Sequence, residues 1–248
     1  MKLFVIGFGS GEKKHMTQQA VSALQQSDLV IGYTTYIEIL KKDFPDLHYL
    51  ATPMRKEIDR CKMAVQETLK NQTVALVSSG DSGIYGMAGI LLEIVHEMQM
   101  ENQIEIEIVP GITAASLAAS VLGAPLMHDF AVISLSDLLT PLELIYKRIV
   151  CAAQADFVIC LYNPKSRTRT EYLAQATDLI MQYQSPDTPV GIVRNAGRTD
   201  QTVWMTTLRK LKNQPVDMFC IVIIGNSQSY FQKQEQKIYM ITPRGYPL

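Results

Sequence analysis

Residues 78–89 read SSGDSGIYGMAG and follow the apolar run TVALV. A glycine-rich turn after a strand cradles phosphates when a lysine accompanies it, as GxxxxGK[ST] requires. No lysine lies between Lys70 and Lys147, so triphosphate binding would lack its main cation. The turn holds Asp81 instead, flanked by Gly80, Gly83 and Gly86. A carboxylate there accepts hydrogen bonds from a ribose or an amine, and the glycines leave room for a ligand against backbone. An acid so placed equally caps a helix starting near Tyr85, and the turn alone leaves both roles open. Lys165, Arg167 and Arg169 lie in YNPKSRTR, and Arg194 and Arg198 in RNAGRTDQ. Guanidinium forks suit carboxylates and phosphates. A single arginine is usually a solvated charge, but two basic loops in a nearly neutral chain point to an anionic substrate larger than one carboxylate.

Other chemistries lack their residues. Gly7-Phe8-Gly9-Ser10-Gly11 has GxGxG spacing, and polar residues separate it from a helix start at Thr17. A dinucleotide fingerprint needs GxGxxG with the helix N-terminus directly on the pyrophosphate, so no nicotinamide site is expected. GxSxG is absent, and His15, His48, His96 and His128 have no metal-ligand spacing; no metal site is expected. Few aromatics interleave with the basic residues, so nucleic acid is not an expected partner. His128, followed by Asp129 just before FAVISL, is either an acid–base group or a capping or surface histidine.

These loops need elements to hold them. Short β-branched and aromatic runs (LFVI, DLVIGY, TVALV, IEIEIV) alternate with helix-period segments such as Arg55 to Asn71 and Tyr85 to Met100. That rhythm predicts an α/β fold with mixed, largely parallel sheets. After TAASLAASVLG and the Ala124-Pro125 break the pattern restarts with FAVISL, FVICLY, PVGIVRN, TVWMTT and FCIVIIG. Two α/β domains are expected, 1–118 and 119–248. In open α/β sheets ligands bind beyond the carboxyl ends of strands, which is where GFGSG, SSGDSGIYG, PGITAAS, YNPKSRTR and RNAGRTDQ fall.

The 248 residues are 47% hydrophobic and 19% charged with a formal net charge of −1, enough for a substantial core and too neutral to draw nucleic acid or anionic membrane by global charge. Cys61, Cys151, Cys160 and Cys220 show no CxxC spacing, and three lie in apolar runs, so buried thiols in a reducing compartment are expected. The N-terminus has no signal-like apolar region and no run reaches membrane length. A soluble, cytoplasmic protein is the expectation.

In this order, the five loops resemble the tetrapyrrole (precorrin) methylase family, which transfers methyl groups from S-adenosylmethionine to corrin precursors. IGFGSG matches the family's N-terminal glycine loop, GDSGIYG its GDPxxYG motif and IVPGITAAS its VPGxTA segment. SSGDSGIYGMAG, HDFAVISLSDLLTP, LYNPKSRTR and VRNAGRTDQ together are most similar to the branch that methylates C-17 and contracts the ring. Ser82 stands where many members have proline. The resemblance implies a cofactor in a cleft between domains, touched by Ser10, Gly80, Asp81, Ile84, Thr113, Ala114, Tyr162, Asn163 and Ala196. It implies a tetrapyrrole substrate whose acetates and propionates meet Arg55, Lys165, Arg167, Arg194 and Arg198, and a homodimer. Ring contraction needs proton transfers, for which His128, Asp129 and Asp137 are the candidates. Methylation at C-11 or C-20, or of a uroporphyrinogen-type ring, is the alternative within the family, and a non-catalytic nucleotide-binding module the alternative outside it.

Overall fold

The computed structural model describes residues 1–247, and the chain divides into two units, Met1–Ala114 and Ala115–Leu248. In the first, strands β1 (Lys2–Gly7), β2 (Leu29–Tyr33), β3 (Tyr49–Thr52), β4 (Val74–Ser78) and β5 (Glu105–Val109) form one sheet in the order β3-β2-β4-β1-β5. Every pairing is parallel. Side chains alternate between its faces with period two. Leu3, Val5, Ile31 and Leu76 pack with Cys61, Ala64 and Val65 of α3 (Glu57–Thr68) and Leu91, Ile94 and Val95 of α4 (Ala88–Glu97). Phe4, Ile6, Val30 and Val77 pack with Ala20 and Leu24 of α1 (Gln18–Gln25) and Ile37 and Leu40 of α2 (Thr34–Leu40). Burial on both faces is why β1 and β4 read as continuous apolar runs. Thr17 caps α1, its Oγ1 accepting from Ala20 N at 3.0 Å.

Two consequences position the site. Parallel pairing puts the carboxyl ends of all five strands on one edge. Neighbouring β1 and β4 then send their chains to helices on opposite faces, α1 and α4, which opens a crevice between their loops.

The second unit contains nearly all of α5 (Ala114–Leu122), then β6 (Gly123–Ala124), β7 (Phe130–Ser134), α6 (Leu142–Gln154), β8 (Val158–Tyr162), α7 (Tyr172–Ile180), β9 (Pro189–Arg194), β10 (Thr202–Thr207), α8 (Leu208–Leu211) and β11 (Cys220–Ile224). Its main sheet runs β10-β9-β11-β8-β7. β7 and β8 pair in parallel, while β8–β11, β11–β9 and β9–β10 are antiparallel, so the parallel character belongs to the first sheet and the second is mixed. One face packs on α6 and α7 through Ile145, Ile149, Leu173 and Ile180, and the other on Ala115, Ala118 and Leu122 of α5. A third sheet adds β12 (Tyr230–Gln234) and β13 (Lys237–Ile241) to β6, a hairpin the sequence reading did not place.

Two local expectations are corrected. The helix expected from Tyr85 starts at Ala88, because Tyr85 is left-handed (φ 53°) and Ala88 N donates to Ser82 O at 2.9 Å, closing a loop. Cys61, Cys160 and Cys220 are buried and Cys151 is exposed. Cys151 lies in an apolar stretch but on the outer side of α6, whereas Cys61, between Arg60 and Lys62, is on the inner side of α3; helical phase outweighs the immediate neighbours. Burial pushes the Cys61 and Cys160 thiols up to about 12 and Cys220 to about 11.

Candidate functional site

Within the first unit, three strand-end loops interlock through backbone. Gly9 N donates to Gly80 O at 3.0 Å and Gly80 N to Gly9 O at 2.8 Å, while Phe8 N reaches Ser78 O at 3.0 Å. Both glycines have positive φ, +65° and +70°, which a side chain would oppose. A Cβ on Gly7 would lie 2.6 Å from Ser82 N, 2.7 Å from Gly80 O and 2.8 Å from Asp81 Cα, and one on Gly111 would overlap the carbonyl oxygens of Gly80 and Gly7. These glycines allow three backbones to touch.

Asp81 fastens the assembly. Its Oδ1 accepts from Gly83 N at 2.8 Å and Ile84 N at 3.1 Å, and its Oδ2 from Gly111 N at 3.0 Å. It caps the turn and the third loop together, not a helix at Tyr85. A carboxylate offers about four lone-pair sites, so most of its accepting capacity is internal. Ser82 is 1% exposed and its Oγ donates to Val109 O at 3.0 Å, a tether from the second loop to the end of β5 that a proline cannot make. The Ser10 hydroxyl is buried, 2.9 Å from His15 Nδ1, and accepts from Glu12 N at 3.3 Å.

Among these loop glycines Gly80 alone has room beside it. A Cβ there would meet nothing nearer than Thr113 Cα at 3.9 Å and Ala114 N at 4.0 Å. Gly80, Thr113 and Ala114 thus surround one space, with Ile84 and Tyr85 exposed at the tip of the second loop. Asp81 belongs to the same loop, and no lysine lies between Lys70 and Lys147.

The second unit holds the remaining expected residues except Arg55, which precedes α3 in the first. Tyr162 Oη, at the end of β8, accepts from Ala115 N at 2.9 Å and satisfies a donor at the start of α5. Asn163 is left-handed (φ 51°) and its Nδ2 donates to Ser134 Oγ at 3.0 Å. Ala196 packs partly buried against the α5 side of the core. Arg169, 14% exposed, donates from Nη1 to Ser136 Oγ at 3.0 Å and pairs with Asp137 Oδ1 at 3.5 Å, while Tyr172 Oη donates to Asp137 Oδ2 at 2.8 Å. The Tyr172 hydroxyl, with backbone donation and Arg169 besides, holds the Asp137 carboxyl below the ordinary aspartate range. Asp137 is therefore an anchor that fastens YNPKSRTR to the loop after β7, and a weak base.

The cations divide into engaged and unengaged. Arg194 Nε donates to Asp217 Oδ2 at 2.8 Å, and its guanidinium lies 5.9 Å from the Phe219 ring centroid. The hydrogen bond to Asp217 raises its already high pKa. Arg198 N donates to Asn195 O at 3.0 Å. Among the described residues Arg55, Lys165 and Arg167 make no ion pair. His128 Nδ1 accepts from Asp129 N at 2.9 Å and lies 3.7 Å from Asp129 Oδ2. Among the described residues no group of three or more His, Cys, Asp or Glu could hold a metal ion.

Sequence reasoning passed over Arg60, which is 4% exposed on α3. A signal existed: it precedes Ala64 by one helical turn, on the face that carries Cys61, Ala64 and Val65 inward.

A probable cobalt-factor III C(17)-methyltransferase of Salmonella typhimurium is 50% identical over 246 residues, 99% of this chain and 100% of that protein. A precorrin-3B C(17)-methyltransferase of a Sinorhizobium species is 36% identical, covering 98% of this chain and 96% of that one. The crystal structure of the methyltransferase CobJ superposes with a TM-score of 0.90 at 31% identity, covering 97% of this chain and 99% of that one. The model for tetrapyrrole (corrin/porphyrin) methylases matches residues 2–212, a span that includes all five strand-end loops, and the chain belongs to that family.

Proposed function

We propose that this protein is a cobalt-factor III C(17)-methyltransferase of cobalamin biosynthesis, methylating a corrin precursor at C-17 with ring contraction. The observation that carries the reading is 50% identity along the full length of a relative so named. The preference for a cobalt-bound substrate over a metal-free one follows the difference between that value and the 36% shared with the precorrin-3B relative.

The residues of the first unit fit S-adenosylmethionine. Gly80, Thr113 and Ala114 adjoin the open space, Asp81 fixes the second and third loops together, and Ile84 is exposed on the second loop. Ser10 takes part through its backbone, since its hydroxyl is engaged with His15 and Glu12. Tyr162, Asn163 and Ala196 are assigned to the same ligand on family membership. Bound there, S-adenosylmethionine supplies an electrophilic methyl group. The protein's task is to hold the substrate carbon in line with that methyl, an effect that supplies roughly 7 to 11 kcal/mol. No covalent protein nucleophile takes part. Arg55, Lys165 and Arg167 receive the macrocycle's carboxylates, with Arg194 and Arg198 beside them on their loop. His128, with Asp129, carries protons during contraction, while Asp137 serves by keeping its loop in place.

Homodimerisation and a cytoplasmic location are part of the proposal. The dimer is taken from the family resemblance, and light scattering should give twice 27.8 kDa; the monomer mass would contradict it. The location is supported by unbridged buried thiols, and among the described residues no helix is long and apolar enough to cross a membrane. The activity is tested by anaerobic turnover of the cobalt-bound and metal-free macrocycles with S-adenosylmethionine, followed by absorbance and mass. Turnover of the cobalt form is expected, and turnover of the metal-free form alone would defeat the assignment.

A further inference from the structure

Arg60 is a buried cation without a counter-charge. Its Nε donates to Thr52 Oγ1 at 2.6 Å, its Nη2 to Pro53 O at 3.0 Å and its Nη1 to Met87 Sδ at 3.7 Å. All three acceptors are neutral, and among the described residues no carboxylate lies within ion-pair distance of it. A guanidinium carries five N–H donors, so one on each Nη is unused. Burial pulls its pKa down, with Glu57 opposing. A buried charge is ordinarily paired, and here only neutral acceptors touch it.

Its place is informative. Thr52 is the last residue of β3, and Met87 closes the SSGDSGIYGM loop immediately before α4. The guanidinium therefore sits at the ligand-binding edge of the first sheet. Pro53, which accepts from Nη2, begins the strap Pro53–Lys56, exposed throughout and left-handed at Arg55 (φ 64°). Tyr33 and Tyr36 are close enough to bear on the Arg60 charge. They meet edge-to-face at 5.2 Å, and Phe8 joins Tyr36 at 5.5 Å. A buried fork with two free donors at this edge is suited to a carboxylate.

We propose that Arg60 is the receptor for a ligand carboxylate, which reaches its two free N–H groups by displacing the strap Pro53–Lys56. The inference rests on the proposed methyltransferase reading. Both of that reaction's ligands carry carboxylates, the macrocycle on its side chains and S-adenosylmethionine on its amino-acid tail, and the experiment separates them.

Arg60→Gln and Arg60→Lys are compared with the wild type by calorimetry with S-adenosylhomocysteine and by absorbance titration with the macrocycle. One affinity should fall roughly 30-fold or more in Arg60→Gln, with partial recovery in Arg60→Lys and kcat at saturation little changed. Loss confined to the macrocycle assigns the site to its side chains, and loss confined to S-adenosylhomocysteine assigns it to the amino-acid tail. Folded variants with both affinities within about twofold of wild type overturn the inference. A wild type that binds neither ligand refutes the functional reading instead, and the inference falls with it. Should the variants not fold, ¹⁵N spectra of the wild-type Arg60 side chain decide: its Nη–H signals shift and sharpen on saturation with one of the two ligands, and unchanged signals with both overturn the role.

Discussion

Gly7→Ala tests whether the three loops of the first unit act as one lock. Gly7 lies outside the left-handed region, so alanine fits its backbone and the substitution probes contact alone. The new methyl would sit 2.6 Å from Ser82 N, 2.7 Å from Gly80 O and 2.8 Å from Asp81 Cα, where real Cβ contacts start above 3.0 Å. All three obstacles are backbone, so the second loop must retreat by roughly half an ångström or more at a packed strand end, which costs about 1 to 3 kcal/mol. The retreat also strains the reciprocal Gly9–Gly80 hydrogen bonds, about 1 kcal/mol each if lost. A total near 3 kcal/mol lowers the melting temperature by roughly 6 to 12 °C for a chain of this size. Gly80 moves with the loop, so affinity for S-adenosylhomocysteine should fall about tenfold or more, equivalent to ~1.4 kcal/mol. Gly89→Ala is the control: a Cβ there meets nothing within 4 Å, and in the first turn of α4, at a backbone alanine accepts, the change should stabilise by about 0.4 to 1 kcal/mol at most. Calorimetry and thermal melts of the two variants carry the test. Gly7→Ala melting within about 2 °C of wild type with unchanged ligand affinity would refute the lock.

Three further outcomes are expected. The lowered Asp137 carboxyl contributes stability that is present above the ordinary aspartate pKa and lost as pH falls through the folded value. Asp137→Asn should therefore melt below wild type at neutral pH and converge with it in acid, and pH-independent melts would contradict the anchor role. His128→Ala should slow contraction by about 10²- to 10⁴-fold while leaving S-adenosylhomocysteine affinity intact, and normal methylation and contraction rates would remove His128 as a proton carrier. Replacing Lys165 and Arg167 by alanine should raise KM for the macrocycle with little change in melting temperature, and the difference should shrink at high salt; a KM insensitive to both changes would show that these cations do not meet the substrate.

The layered α/β core was legible because period-two burial in the strands and period-3.6 burial in the helices leave direct marks in composition. LFVI and TVALV are buried on both faces, and their apolar continuity says so. Antiparallel insertion of β11 beside β8 and β9 was not legible, since CIVII buried on two faces reads alike in either direction. The β12–β13 hairpin escaped because its exposed, polar YFQKQ resembles a loop.

At the site, motif positions were visible and the partners of each side chain were not. Asp81 was identifiable as an acceptor, but the Gly111 N–H that occupies it lies 30 residues away in sequence. Arg194 and Arg169 read as free cations until Asp217, Ser136 and Asp137 arrived from other loops. Ser82, unexpected where the family has proline, proves to be a buried tether to Val109. Arg60 shows the limit in reverse: a lone arginine on a helix looks solvated until folding places it behind β3.

The most direct measurement supplies anaerobic enzyme with the cobalt-bound macrocycle and S-adenosylmethionine labelled with ¹³C in its methyl group, then locates the label in the product by NMR. One labelled methyl at C-17 of a contracted ring is the result predicted. Label at C-11 or C-20, or a macrocycle recovered unmethylated while a competent relative turns it over, would contradict the assignment.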